Sequence, residues 1–283
     1  MTPFTLNIKG RLIDFENPAV MAIVNVTPDS FYATSRCFDS GRVIDNVRRA
    51  IDEGADMIDI GAYSSRPRAS NVAADEELRR LDRGLTAIRS VSQSVIVSVD
   101  TFRAEIARRA VTELGADIVN DISGGDLDRE MFDTVAELQV PYILMHMRGT
   151  PADMQSRTEY KDGVTAGVIA ELAPKLERLS LIGVNDVIID PGFGFAKTLE
   201  QNYRLLRDLR AFEMLGRPVL AGLSRKSMAA LPLGISADKA LNATTILNTM
   251  ALERGAAILR VHDVAAAREA VKIVSCLNSQ EPC

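Results

Sequence analysis

The sequence alternates eight times between a short apolar run and a longer stretch with helical periodicity. The apolar runs are rich in Val, Ile and Met, which is typical of strands buried on both faces of a parallel sheet. The predicted strands span residues 20–26, 57–61, 95–99, 118–120, 141–145, 187–190, 218–221 and 258–261. The predicted helices span residues 43–53, 75–90, 103–114, 129–139, 163–182, 200–210, 238–254 and 263–275.

Eight strand–helix units at this spacing predict an α/β fold, a (β/α)8 TIM barrel. A doubly wound open sheet remains the alternative, because alternation alone does not prove that the sheet closes. Residues 4–8 and 11–14, separated by Lys9-Gly10, predict a short N-terminal β-hairpin. Since no linker-like or low-complexity tract divides the chain, residues 1–283 are interpreted as a single domain.

Charge and cysteine usage exclude several classes of function. The net charge is -5 and no basic block is present, so we expect neither a nucleic-acid nor a membrane-surface partner. No apolar run is long enough to span a bilayer. The three cysteines are irregularly spaced and predict no disulfide framework. Together with the absence of a signal-peptide pattern at the start, this favours a cytoplasmic protein.

Segment 187–197 is the most informative, because the apolar run Val187-Ile188-Ile189 ends on Asp190 and breaks at once into Pro and Gly. An unpaired carboxylate at the end of a buried strand is costly. The glycines behind it would let the backbone approach a ligand closely. Asp190 is therefore predicted to face a polar ligand.

The other predicted strands also end in polar side chains, and barrel active sites lie at the carboxyl ends of the strands. Arg260 and His262 alternate with Val261 and so share one face, which suits an anionic group. The further strand-end candidates are Asn25, Asp100, Asn120, Asp121, His146, Ser224, Arg225 and Lys226.

Each candidate also has a structural interpretation. Asp100 alone is better explained as a helix N-cap, and Asn120 and Asp121 are compatible with Asx turns. For His146 a structural role is favoured over ligand contact. Segment 224–227 is compatible with a solvated helix start, although two cations at a helix N-terminus favour a bound anion. The coincidence of so many polar strand ends favours one shared site.

The residue types indicate which ligand such a site would bind. Carboxylates can accept hydrogen bonds from the adjacent N–H and NH2 groups of an amino-pyrimidinone ring. A lysine can donate to the ring carbonyl, and an arginine can stack on the ring while its edge binds phosphate. The Asn25 carbonyl oxygen is a hard ligand that suits Mg²⁺. No Ser-His-Asp triad, cysteine nucleophile, P-loop or dinucleotide fingerprint is evident.

Taken together, these motifs resemble the dihydropteroate synthase family of folate biosynthesis, the target of sulfonamide drugs. The matching segments are Asn25-Val-Thr-Pro-Asp-Ser-Phe31, Ser65-Arg66-Pro67, Ser98-Val-Asp-Thr101, Asn120-Asp121-Ile122, Leu144-Met-His-Met147, Asp190-Pro-Gly-Phe-Gly-Phe195, Ser224-Arg-Lys-Ser-Met228 and Arg260-Val-His-Asp-Val264. The resemblance implies a (β/α)8 barrel that joins 6-hydroxymethyl-7,8-dihydropterin pyrophosphate to p-aminobenzoate, giving 7,8-dihydropteroate and pyrophosphate.

The resemblance also implies a role for each matching residue. The pterin would be held by Asp100, Asn120, Asp190 and Lys226, with Arg260 stacking on its ring. Pyrophosphate would be held by Asn25, Arg260 and His262, with Mg²⁺ on Asn25. The p-aminobenzoate site would consist of Phe31, Ser65, Arg66, Pro67 and Ser224. The catalytic set would be Asn25, Asp100, Asp190, Lys226, Arg260 and His262, and a homodimer is expected.

The chain departs from the common family pattern at Ala33, Tyr63 and Arg68, in two loops that the family uses around p-aminobenzoate. Two other functions therefore stay open. One is a pterin-binding methyltransferase barrel, which needs no pyrophosphate site. The other is a paralogue that binds pterin without forming product.

Overall fold

The structure is a computed structural model that describes residues 3–26, 40–63 and 72–278. Eight parallel strands close into a barrel in the order β10-β3-β4-β5-β6-β7-β8-β9. These strands are β3 (Ala19–Asn25), β4 (Met57–Gly61), β5 (Ile96–Asp100), β6 (Ile118–Asp121), β7 (Tyr142–Met145), β8 (Val187–Asp190), β9 (Val219–Ala221) and β10 (Ala256–Val261). The predicted closed (β/α)8 barrel is confirmed, and the open sheet is excluded.

Helices follow the strands and cover the outside of the barrel. They are α1 (Ser40–Asp52), α2 (Ala74–Val91), α3 (Ala104–Thr112), α4 (Met131–Leu138), α5 (Val164–Leu181), α6 (Leu199–Arg207), α7 (Ser227–Ala230), α8 (Leu241–Glu253) and α9 (Val264–Asn278). Within the described ranges, no helix is long and apolar enough to cross a membrane.

The predicted N-terminal hairpin is confirmed as β1 (Phe4–Ile8) and β2 (Arg11–Phe15), paired antiparallel. Its buried side chains Leu6, Ile8 and Phe15 belong to one apolar cluster with residues of the barrel strands. The hairpin therefore closes the end of the barrel at which the strands begin.

The same apolar cluster fills the lower part of the barrel and includes Met57, Ile118, Ile188 and Ile258. Side chains two positions apart on a strand point the same way. The residues two positions further along these four strands are Asp59, Asn120, Asp190 and Arg260. The barrel interior therefore changes from an apolar layer to a polar layer within two residues, and the polar layer faces the mouth.

The structure corrects three details of the sequence interpretation. Strand β10 begins at Ala256, two residues before the predicted start. The prediction missed these two residues because both are alanines, which are poor strand formers. The predicted helix 200–210 divides into α6 and a 3₁₀ segment, Leu209–Leu215. Cys276 on α9 is disulfide-bonded, which the irregular cysteine spacing did not predict.

Candidate active site

The carboxyl ends of four neighbouring strands are level at one side of the mouth. Asn25 on β3 is in register with Gly61 on β4, Gly61 with Asp100 on β5, and Asp100 with Asn120 on β6. Gly61 has no side chain, and a Cβ placed there would lie 3.6 Å from both Asn25 Oδ1 and Asp100 Oδ2. An amide oxygen and a carboxylate oxygen therefore flank an opening above Gly61.

Arg260 on β10 crosses the mouth and bonds two carboxylates. Its Nε lies 2.7 Å and its Nη2 2.6 Å from Asp59 Oδ2, and Nη2 lies 2.9 Å from Asp100 Oδ2. Asp59 is fully buried and also accepts from Asn120 Nδ2, at 3.2 Å and 3.3 Å to its two oxygens. Asp59 thus orients two predicted pterin-binding residues at once.

Sequence reasoning missed Asp59 as a member of the site. The signal was present, because Asp59 lies between two isoleucines in a run predicted as a buried strand. A buried carboxylate needs a cation or several donors, and the Arg260 guanidinium supplies that partner.

On the other side of the mouth, Asp190 and Lys226 face each other across Gly222. A Cβ placed on Gly222 would lie 3.8 Å from Lys226 Nζ and 3.9 Å from Asp190 Oδ2. Asp190 Oδ1 accepts from the Gly192 amide at 2.8 Å. Lys226 Nζ donates to the Phe193 carbonyl and lies 4.7 Å from the centre of the Phe195 ring. The Gly-rich segment after β8 therefore holds both charged groups in place.

Burial changes the ionisation of the site. It raises the pKa of Asp100 to about 7, against the opposing charge of Arg260 and with the help of the Asp59 carboxylate. Burial also raises the pKa of Asp190, although Lys226 and the Gly192 amide oppose that shift. The pKa of Lys226 is lowered by burial to about 8, with Asp190 opposing. A raised pKa favours the protonated form of each carboxyl group, and a ligand that donates hydrogen bonds to the carboxylate would favour its ionised form instead.

Ser224 and His262 meet at the ends of β9 and β10. The Ser224 hydroxyl lies 2.9 Å from His262 Nδ1 and accepts from the His262 backbone amide at 3.1 Å. Arg225, beside Ser224, forms a two-point ion pair with Asp263 at 3.0 Å and 2.6 Å. Asp263 neutralises the charge of Arg225, so Arg225 gives no support to the bound anion that the cations of segment 224–227 favoured.

A cavity of about 480 Å³ opens beside Asn25 and His262, between β3, α1 and the first turn of α9. Arg49 and Glu53 of α1 and the Arg225–Asp263 pair line its other side. Each arginine in its lining is paired with a carboxylate, Arg49 with Glu53 and Arg225 with Asp263, so the charges of these four side chains cancel.

Two strand-end candidates, Asp121 and His146, are structural, and the structural interpretation of Asp100 fails. Asp121 accepts from Ser123, Gly125 and the Tyr142 hydroxyl, so it organises the turn after β6. His146 is buried between Glu171 and Lys197, as the structural interpretation favoured. The N-cap residue of α3 is Arg103, so the N-cap interpretation of Asp100 was wrong.

The predicted p-aminobenzoate residues Phe31, Ser65, Arg66 and Pro67, and the departures Ala33 and Arg68, lie outside the described residues. Of the third departure, Tyr63, the structure describes the ring, which packs edge-on against Phe102 at 5.1 Å between centroids. The ring also lies beneath the Arg103 guanidinium, 5.8 Å from its centroid. Arg103 in turn donates to the Val72 carbonyl at 2.8 Å.

The donor set at the mouth suits a magnesium ion bound mainly through a substrate. Among residues 3–26, 40–63 and 72–278, no group of three His, Cys, Asp or Glu side chains is placed to hold a metal. Mg²⁺ commonly keeps several waters and takes only one or two protein oxygens together with substrate phosphates. The Asn25 amide oxygen beside the cavity fits that pattern.

Comparison with known proteins decides the family. The family model described as pterin binding enzyme matches residues 21–262, which include all the described site residues except Asp263 and the first turn of α9. The chain belongs to the pterin-binding enzyme family. The names of individual relatives then favour one of the two interpretations of this chain, synthase or methyltransferase.

Several relatives over nearly the whole chain are named dihydropteroate synthase. The chain is 37% identical to the dihydropteroate synthase of Haemophilus influenzae, over 95% of this chain and 97% of that protein. It is 38% identical to the mitochondrial folate synthesis bifunctional protein of Arabidopsis thaliana over 96% of this chain, but spans only 52% of that protein. A solved structure of Xanthomonas albilineans dihydropteroate synthase with 4-aminobenzoic acid superposes with a TM-score of 0.89 at 36% identity, covering 99% of this chain and 100% of that one.

Proposed function

We propose that this chain is a dihydropteroate synthase, which condenses 6-hydroxymethyl-7,8-dihydropterin pyrophosphate with p-aminobenzoate and releases pyrophosphate. The observation that carries the proposal is the set of polar side chains at the barrel mouth, where Arg260 bonds Asp59 and Asp100, Asp59 bonds Asn120, and Asp190 faces Lys226 across Gly222. Its donors and acceptors match the edge of an amino-pyrimidinone ring. The relatives that share this barrel along its whole length carry the same activity in their names.

In this proposal, binding of the pterin replaces interactions that the site residues make with one another. Asp190 accepts from the ring N–H and amino groups, and Asn120 and Lys226 bond the remaining ring atoms. Arg260, which pairs with Asp59 and Asp100, would stack its planar face on the ring. Its charge and the His262 ring face the pyrophosphate.

The reaction then proceeds by departure of pyrophosphate and attack of the aniline nitrogen on the exocyclic carbon. The carbon–oxygen bond to pyrophosphate breaks, and Arg260 and His262 stabilise the negative charge that develops on the leaving group. The Asp100 and Asp190 carboxylates stabilise the positive charge left on the pterin. The aniline nitrogen forms the new carbon–nitrogen bond and loses its proton to solvent.

Magnesium, a homodimer and a cytoplasmic setting are parts of this proposal. Mg²⁺ bound through Asn25 and the phosphates would neutralise charge on the leaving group. The homodimer is supported by apolar side chains exposed on α8, namely Leu241, Ile246 and Met250. Sulfonamides, which carry the same aniline group as p-aminobenzoate, are expected to compete with it. The cytoplasmic setting rests on composition alone.

The test is synthesis of dihydropteroate by the purified chain, followed by chromatography and mass spectrometry. Asp190→Asn should reduce product formation by about a hundredfold, because it removes a buried charge that the pterin would pair with. Asp186→Asn, directly before the first residue of β8, is the control and should retain activity. A wild-type chain that binds the pterin but forms no product would make this a silent binder instead.

A further inference from the structure

A buried lysine lies directly behind the pterin pocket and has no part in the proposed reaction. Lys197 is 3% exposed, and its Nζ lies 3.0 Å from His146 Nδ1, 3.0 Å from the Gly192 carbonyl and 2.9 Å from the Phe195 carbonyl. An ammonium group has three hydrogens to donate, and these three acceptors use all of them. Such complete satisfaction is what a buried cation requires.

The contacts of the His146 ring fix its tautomer. We assign the ring proton to Nε2, because Nε2 faces Glu171 Oε2 at 3.1 Å and the pKa of Glu171 is lowered to about 2 by its bonds to His146 and Arg148, so this carboxylate can only accept. Nδ1 then accepts from Lys197. Glu171 is itself held by Arg148, whose Nε lies 2.9 Å from Oε1. A continuous chain of hydrogen bonds therefore runs from the partly exposed Glu171 on α5 to Lys197.

Segment 192–196, which we call the β8 loop, lies between two lysines. From the pocket side, Lys226 donates to the Phe193 carbonyl. From the opposite side, Lys197 donates to the carbonyls of Gly192 and Phe195, on either side of that position. The Gly192 amide in turn donates to Asp190 at 2.8 Å. The backbone that orients Asp190 and Lys226 is thus held in place by Lys197.

We infer that Lys197 is a positioning residue for the pterin pocket. It acts through the β8 loop, whose Gly192 amide and Phe193 carbonyl set the positions of Asp190 and Lys226, and His146 and Glu171 act through Lys197. The kinetic consequence of this inference, a change in KM, rests on the proposed function. Its structural consequence, the order of the β8 loop, is independent of that function.

The first experiment compares the wild type with Lys197→Met, which keeps the length of the side chain and removes the ammonium. We expect KM for the pterin pyrophosphate to rise about tenfold or more, with KM for p-aminobenzoate changed less than about twofold. Lys175→Met is the matched control, because Lys175 on α5 is also ion-paired, to Asp126 at 2.7 Å, but lies outside the site. Equal KM values in folded Lys197→Met and wild type would overturn the inference.

A second pair of variants keeps the test decisive if Lys197→Met does not fold. Glu171→Ala removes the acceptor for the His146 Nε2 proton at a partly exposed position, and should raise KM for the pterin pyrophosphate several-fold. Glu171→Gln retains an acceptor oxygen and should therefore keep the KM for the pterin pyrophosphate close to that of the wild type. If Glu171→Ala leaves this KM unchanged, or if Glu171→Gln does not restore it, Lys197 is not positioned as inferred.

Amide hydrogen exchange separates this inference from the proposed function. Exchange of the Gly192 amide should accelerate about tenfold or more in Lys197→Met and stay unchanged in Lys175→Met. If the wild type forms no dihydropteroate, the proposed function fails, and this exchange measurement still tests the role of Lys197. Unchanged exchange at Gly192 in Lys197→Met would contradict that role.

Discussion

Arg260 on β10 and the buried Asp59 on β4, whose strands are separated by β3, form an ion pair with Arg260 Nη2 2.6 Å from Asp59 Oδ2, although the two residues lie 201 positions apart in the chain. The same carboxylate accepts from Asn120. Asp59 therefore belongs to the site because it orients Arg260 and Asn120. It lies deep in the mouth, beneath the expected ligand.

Replacing Asp59 by Asn should reduce kcat/KM for the pterin pyrophosphate by about tenfold or more. The change removes a charge-assisted hydrogen bond of about 1.5–3 kcal/mol and leaves Arg260 with Asp100 as its remaining carboxylate. Steady-state kinetics measure the effect. Asp126→Asn, which removes an exposed partner of Lys175, is the control, and equal losses in both variants would show that Asp59 has no particular role in the site.

The pH dependence of the reaction should report Asp100, whose pKa is raised to about 7 mainly by burial. The pterin requires the carboxylate form as its acceptor, so kcat/KM for the pterin pyrophosphate should rise as the pH increases through about 7. In Asp59→Asn the midpoint should move to lower pH, because the neighbouring negative charge that raises the pKa of Asp100 is gone. A midpoint that is the same in both proteins would assign the titration to another group.

Gly192 should tolerate no side chain. Its φ is +71° and an added Cβ would lie 2.0 Å from the His146 carbonyl oxygen. Gly183 is the matched control, because its φ is +87° but a Cβ added there would meet no atom within 4 Å. Gly183→Ala should lose about 1 kcal/mol of unfolding free energy from backbone strain alone. Gly192→Ala should lose clearly more, as measured by denaturant unfolding, and similar losses would show that the clash relaxes freely.

His146 should remain neutral far below the ordinary histidine range. Burial lowers its pKa to about 4, although Glu171 opposes the shift. A histidine whose folded pKa is below its unfolded value of about 6.5 stabilises the fold fully above pH 6.5, and this contribution is lost as the pH falls through 4. The wild type should therefore lose more stability than His146→Gln between pH 6.5 and 4.

Nuclear magnetic resonance can test the lowered pKa of His146 directly, because the chain contains only two histidines and their signals can be assigned with one variant. The ring signal that remains in His262→Ala belongs to His146 and should show the Nε2–H tautomer with no titration above about pH 5. A His146 signal that titrates near 6.5 would mean that the Lys197 contact does not form in solution.

Much of the barrel was predictable because its strands are buried on both faces and stand out as apolar runs. The polar layer was predictable where a charged residue ended such a run, as at Asp190 and Asp100. Asp59 was harder to assign, because it lies inside a run and its partner Arg260 comes from the far end of the sequence. Its position two residues after Met57, on the inward face, was the available signal.

Contacts between loops could not be predicted from the sequence, for a different reason. The Arg225–Asp263 pair depends on where the segments after β9 and β10 turn, and the local sequence of each segment contains no information on the other. The same holds for Lys197 and His146, which follow different strands. Adjacency of β7 and β8 was implied by the barrel order, but the direction of these side chains was not.

The most direct test of the proposed function is pyrophosphate release by the purified chain supplied with the pterin pyrophosphate and Mg²⁺, with and without p-aminobenzoate. We predict continuous release that depends on p-aminobenzoate, equals dihydropteroate formed, and falls strongly in His262→Ala. Binding of the pterin pyrophosphate without p-aminobenzoate-dependent release would contradict the proposed function and would leave the chain as a pterin-binding protein without synthase activity.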